Sequence, residues 1–146
     1  MLLPEPDQSI LCRRDEIISA LKRFVPAGAV IDDDTTMAAY DTDGLSAYRN
    51  QPLVVVLPET TQQVAAVMKW CRDNDVKIVP RGAGTSLSGG AIPLADGVLL
   101  GLGKFNQILD IDFINRTVTA QPGVTNLGIT QAVQDEGFYY APDPSS

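Results

Sequence analysis

Apolar side chains recur along this chain with two different periods, and the changes between them predict its elements. Ile17, Leu21, Phe24 and Val25 stand at helical spacing between Asp15 and Val25, and Pro26 closes the segment because the residue before a proline is pushed out of the helical region. Asp32, Asp33 and Asp34 followed by Thr35 read as the start of a short helix through Ala39 and Tyr40, since carboxylates are favoured at the positive end of the helix dipole. Residues 41–52 show no period and read as a connection. From Leu53 to Leu57 the chain is an unbroken run of Leu and Val, the pattern of a strand buried on both faces of a parallel sheet, and Pro58 ends it. Thr60 and Gln63 form a capping box ahead of Val64, Val67, Met68 and Cys71 at helical spacing, and a short strand from Val76 to Val79 follows Asn74. That unit is strand, helix, strand, with its two strands expected to run parallel. Further on, Gly97 to Leu102 predicts a small-and-apolar strand. Ile108 to Asp112 and Thr117 to Gln121 predict a hairpin around Asn115, and Thr125 caps a last helix ended by Gly137. The fold class is α+β: a βαβ unit, then a mixed or antiparallel sheet with a helix, preceded by a helical segment and connection over residues 1–51.

Composition narrows the chemistry. The 146 residues carry 18 acidic and 11 basic side chains, a formal charge of −7, and no histidine. Dispersed Lys and Arg on an acidic chain do not supply the basic face that a row of phosphates requires, so nucleic acid is not an expected partner. Without histidine, no Ser-His-Asp triad, Cys-His pair or His-containing zinc site can be built from these residues alone. Cys12 and Cys71 stand in no metal or redox spacing and read as two buried thiols in a reducing compartment. No signal peptide and no apolar stretch near the length of a membrane span is evident, which points to a soluble, cytoplasmic protein. The acidic triple at Asp32 to Asp34 and the alternating Asp110 and Asp112 read as solvated carboxylates, Trp70 as a packing residue, and the Tyr139-Tyr140 pair as core.

The densest glycine and hydroxyl segment follows the second strand of the βαβ unit: Pro80-Arg81-Gly82-Ala83-Gly84-Thr85-Ser86-Leu87-Ser88-Gly89-Gly90. A dinucleotide-binding turn fails here because Leu87 occupies the place of the third glycine, and a Walker A loop fails because Gly90 stands where its lysine must be. Both of those loops also open a helix, whereas Ala91-Ile92-Pro93-Leu94 leads into an extended segment. What remains is a nest, in which backbone N–H groups freed by glycine converge on phosphate oxygens, with Thr85, Ser86 and Ser88 adding hydroxyl donors. A Cβ at Gly82 or Gly84 would obstruct such an approach. A flexible connector between two subdomains has the same composition, and the loop alone leaves both readings open.

That run, together with Gln121-Pro122-Gly123-Val124, Tyr140-Ala141-Pro142-Asp143-Pro144-Ser145-Ser146 and the segment Asp43-Gly44-Leu45-Ser46-Ala47-Tyr48-Arg49, resembles the FAD-linked oxidase family that shares the vanillyl-alcohol oxidase fold. The resemblance implies an FAD-binding domain over residues 52–146, with FAD between two subdomains. It places the pyrophosphate on the loop Arg81 to Gly90, with Pro80, Gly82, Ala83, Gly84, Thr85, Ser86, Leu87 and Gly89 among the cofactor-binding residues. Pro122, Gly123 and Val124 are then expected near the flavin half, and Asp143, Pro144 and Ser145 beside the isoalloxazine. It further implies oxidation of a small 2-hydroxy acid by hydride transfer to non-covalently held FAD, with glycolate as the first substrate and D-lactate or another 2-hydroxy acid as the alternative, and electron-acceptor subunits as partners, with membrane association through those subunits as the alternative to a purely cytoplasmic protein. Family members continue past the Pro-Asp-Pro segment into the residues that bind substrate. The chain therefore reads as an amino-terminal part without catalytic residues of its own and inactive by itself. A complete, non-catalytic nucleotide-binding module is the rival reading, set against by the extended, proline-rich carboxyl end.

Overall fold

A computed structural model describes residues 4–142, which fall into two compact units, Met1–Leu102 and Gly103–Ser146. The first unit is built on a four-stranded sheet of order β1-β2-β4-β3, from β1 (Val30–Ile31), β2 (Val54–Val56), β3 (Lys77–Arg81) and β4 (Gly97–Gly101). β2 and β3 both run parallel to β4, and β1 pairs antiparallel with β2. The strands of the βαβ unit are thus parallel, as their sequence predicts, but β4 separates them. Its five residues are all buried, a demand that only a central strand meets.

Side-chain alternation divides the core into two layers. Val54, Val56, Val98 and Leu100 face one side, where α2 (Arg14–Leu21) and α4 (Thr61–Asp73) cover them with Ile17, Ile18, Leu21, Val67 and Cys71. Val55 and Leu99 face the other, against Met37 of α3 (Asp34–Met37). Residues before 52 therefore share one core with the strands after it.

Several local expectations are corrected. The first helix stops at Leu21 rather than Val25, because the chain tightens into i→i+3 bonds, Arg23 N–H to the Ala20 carbonyl and Phe24 N–H to the Leu21 carbonyl, on its way to Pro26. A short helix α1 (Gln8–Leu11), capped by Asp7, precedes it. Thr60 caps α4 as expected, but Gln63 accepts from Glu59 N–H rather than from the cap residue itself. Cys12 is exposed and only Cys71 is buried; burial pushes its thiol up to about 11. The acidic triple is used locally: Asp32 pairs with Lys22, Asp33 caps α3 and Asp34 accepts from Gln51.

In the second unit, β5 (Ile108–Asp112) and β6 (Thr117–Ala120) form the expected antiparallel hairpin, and α5 (Asn126–Val133) is capped by Thr125. Asp112 closes the turn by accepting from Asn115, and Arg116 takes the left-handed conformation that completes it. Gly137 ends the helical segment in the left-handed region, φ 78°. Tyr139 and Tyr140 are not core: they are 74% and 38% exposed on the rim of an apolar cleft beside Phe113 and Phe138. Among the described residues no helix is long and apolar enough to cross a membrane.

Candidate functional site

β3 runs further than its apolar residues suggest and takes in Pro80 and Arg81, which pair with Leu100 and Gly101 of β4. Proline is tolerated here because β3 is the edge of the sheet, where one row of backbone N–H groups has no strand to meet. The glycine loop from Gly82 to Gly90 therefore leaves directly from the carboxyl end of a parallel strand, where open α/β sheets place their ligands.

Arg81 turns back beneath this loop. Its Nη1 donates to the Thr42 carbonyl at 2.7 Å and the Tyr40 carbonyl at 3.1 Å, and its guanidinium lies 5.8 Å from the centre of the Tyr40 ring. A Cβ at Gly84 would overlap that guanidinium, and Gly84 sits at φ +74°. Gly84 thus admits Arg81 under the loop, a role different from leaving room for a ligand. At Gly82 an added Cβ meets nothing within 4 Å among the described residues.

Tyr40, at the end of the expected short helix, and residues 41–45, which sequence patterning leaves as an aperiodic connection, hold the loop at four places. Besides the two Arg81 bonds, Leu45 N–H donates to the Ser86 carbonyl at 3.1 Å, and Gly44 lies so close that a Cβ there would stand 2.8 Å from the Thr85 carbonyl oxygen and 2.9 Å from that of Ser86. Asp43, only 6% exposed, accepts from Leu45 N–H at 2.8 Å through Oδ1 and from Ala91 N–H at 3.2 Å through Oδ2. The Asp43-Gly44 pair was the available signal: an acid followed by a glycine in a stretch with no helical or strand period.

The consequence is a polarity of the loop. In a planar trans peptide the N–H points opposite to the C=O, so drawing the Thr85 and Ser86 carbonyls toward residues 43–45 turns the N–H groups of Ser86 and Leu87 the other way. Among the described residues neither of those two N–H groups has an acceptor. The Ser86 Oγ accepts from Ser88 N–H at 3.3 Å and Gly90 N–H at 3.2 Å. With both lone pairs engaged, its remaining capacity is to donate. Outward N–H groups, a hydroxyl restricted to donation, and a guanidinium beneath them form a donor set suited to an anion, and both oxygens of the one buried carboxyl nearby are already occupied by N–H groups. The residues present fit a pyrophosphate.

Pro122, Gly123 and Val124 belong to the second unit. Gly123 N–H donates to the Phe105 carbonyl at 2.7 Å and Val124 N–H to the Gln121 carbonyl at 3.1 Å, so this turn is a formed structure ahead of α5. Asp143, Pro144 and Ser145 lie outside the described residues.

Comparison with known proteins covers the segment that contains this loop. The family described as FAD binding domain matches residues 52–146. The chain is 50% identical over 133 residues to glycolate oxidase subunit GlcD of Escherichia coli, covering 91% of this chain and 27% of that protein. It is 35% identical over 130 residues to D-lactate dehydrogenase of Anaerostipes hadrus, covering 88% of this chain and 27% of that one. Among solved structures, alkyldihydroxyacetonephosphate synthase superposes with a TM-score of 0.78 at 20% identity over 99% of this chain and 28% of its own, a likeness of fold. The chain thus spans a little over a quarter of the length of the curated relatives it matches. The match over residues 52–146, about two thirds of the chain, places it in the FAD binding domain family, with the fold of the vanillyl-alcohol oxidase type.

Proposed function

We propose that this chain holds the pyrophosphate of FAD on the loop Arg81 to Gly90, as part of a flavoprotein that oxidises a 2-hydroxy acid, glycolate first and D-lactate as the alternative. The observation that carries the reading is the pinning of the Thr85 and Ser86 carbonyls, which aims consecutive N–H groups away from residues 43–45 inside a matched FAD-binding segment. The global charge of −7 opposes a dianionic ligand, so the binding is local, from backbone donors, the Ser86 hydroxyl and the Arg81 charge. When bound, FAD supplies the acceptor for the hydride that leaves the hydroxyl-bearing carbon. The chain's own residues bind and orient it: the loop at the pyrophosphate, Pro122, Gly123 and Val124 toward the flavin half, and Asp143, Pro144 and Ser145 beside the ring system. Gly82 leaves the main chain open for close approach.

The substrate reading follows the two relatives, one a glycolate oxidase subunit and one a D-lactate dehydrogenase, with the higher identity on the glycolate side. Electron-acceptor subunits are the partners this implies, in a cytoplasmic assembly. The test is dye reduction by the native polypeptide that carries this chain. Bound FAD and reduction with glycolate exceeding that with D-lactate are expected; the reverse order transfers the assignment to D-lactate, and a protein without flavin that reduces dye with neither acid overturns it.

A further inference from the structure

The glycines of the loop permit many backbone orientations, and only some of them present donors to an anion. What selects among them is the strap of residues 40–45, and within it the one buried side chain is Asp43. Its two oxygens join Leu45, whose N–H draws in the Ser86 carbonyl, to Ala91, where the loop returns to the core. Gly44, between them, lets the strap lie against the Thr85 and Ser86 carbonyl oxygens. We propose that Asp43 is a positioning residue for cofactor binding: through Leu45, Gly44 and Ala91 it sets the peptide planes of Thr85 to Leu87 so that their N–H groups face the ligand before it arrives. This rests on the reading of the loop as the pyrophosphate site. It assigns the preorganisation to a segment outside the matched residues 52–146 and makes no use of contact between Asp43 and the cofactor.

The chemistry of the substitutions follows from the donors involved. Asparagine at 43 keeps one acceptor oxygen but sets an NH₂ against the second backbone N–H, so one of the two anchors is lost. Alanine at 44 leaves Asp43 untouched and instead pushes the two carbonyls out of the strap. The two changes reach the same peptide planes by different routes. Neither alters a group that meets the ligand, so an enzyme saturated with FAD should keep its turnover.

In the native polypeptide that carries this chain, FAD affinity is measured by flavin fluorescence titration of Asp43→Asn, Gly44→Ala and Gly82→Ala, with the melting temperature of each apoprotein and kcat at saturating FAD. Gly82→Ala adds a Cβ that meets nothing within 4 Å among the described residues, so it reports ligand approach rather than a clash within this loop. The expected result is FAD binding weakened about tenfold or more in all three, with kcat at saturating FAD unchanged in Asp43→Asn and Gly44→Ala. If Gly82→Ala weakens binding while Gly44→Ala and Asp43→Asn bind as the parent does, the positioning role is wrong and the pyrophosphate site stands. If Gly82→Ala also binds as the parent does, the loop is not the pyrophosphate site and both readings fall. Should Asp43→Asn not fold, Asp43→Ser, which keeps one acceptor and gives up the second anchor, decides the positioning role by the same measure.

Discussion

Two glycines in one loop carry different duties, and a single added methyl group separates them. At Gly84 the backbone is left-handed and the Arg81 guanidinium fills the space where a side chain would stand, so Gly84→Val displaces the arginine from the Tyr40 and Thr42 carbonyls as well as straining the chain. Gly82 has neither constraint. Gly84→Val is expected to lower unfolding stability by about 2 kcal/mol or more, whereas Gly82→Ala stays within about 0.5 kcal/mol of the parent. Urea denaturation of the three apoproteins checks this, and equal stabilities for Gly84→Val and Gly82→Ala would contradict the role given to Arg81. The arginine shows how far one residue's meaning depends on its surroundings. As a sequence it reads as a phosphate ligand, but the structure uses one arm of its fork to hold the loop from below.

Among the elements, the sheet edge depends on an ion pair with one buried partner. Asp96, 2% exposed, precedes β4 and accepts from Lys77 Nζ at 2.6 Å, at the start of β3, and from Asp7 N–H at 2.8 Å, at the cap of α1. Burial pushes its carboxyl up, but the Lys77 bond and the Asp7 N–H together outweigh burial and hold it below the ordinary value of about 4. A depressed carboxyl contributes stability that is present above its unfolded value and is lost as pH falls through the native one. Asp96→Ala should therefore cost about 2 kcal/mol at pH 7, less than a fully buried pair because Lys77 is half exposed, and the gap from the parent should narrow below about pH 4. Guanidinium denaturation across that range decides it, and a gap that widens in acid would contradict the assignment.

For the whole molecule, the relevant magnitude is the share of its relatives that the chain covers, 27% of each of the two proteins compared. Flavin catalysis requires the reactive atom of the cofactor to be held against substrate, and the roles proposed for the loop and the Pro122 to Val124 turn are to bind and orient the cofactor only. With FAD added, the 146-residue chain alone is expected to reduce dye with glycolate or D-lactate no faster than free flavin does. No flavin should stay attached to residues 1–146 when the native polypeptide is digested with trypsin, since these residues include no histidine, Cys71 is buried in the core and Cys12 lies at the end of α1. Turnover by the chain alone, or flavin fluorescence on a tryptic peptide from residues 1–146, would contradict these expectations.

Features that depend on neighbours along the chain were legible before any fold was known. Thr60 and Thr125 announce their helices because a cap satisfies donors two or three residues away, and Val54 to Val56 declare a buried strand because a continuous apolar run has no solvated face. The Gly82 to Gly90 loop was legible for the same reason, as a local concentration of backbone freedom. Where β4 inserts was not, since parallel strands meet through a crossover and their order is settled by which strand must be buried on both sides. The strap was legible only as an acid beside a glycine in an aperiodic stretch, not as the partner of the loop. Asp43 and Ala91 are 48 residues apart, and no local pattern tells a carboxyl destined for two distant N–H groups from one left in water. Only the tertiary structure brings Leu45 to Ser86 and Thr42 to Arg81, and those long-range bonds decide which way the loop's peptide planes face.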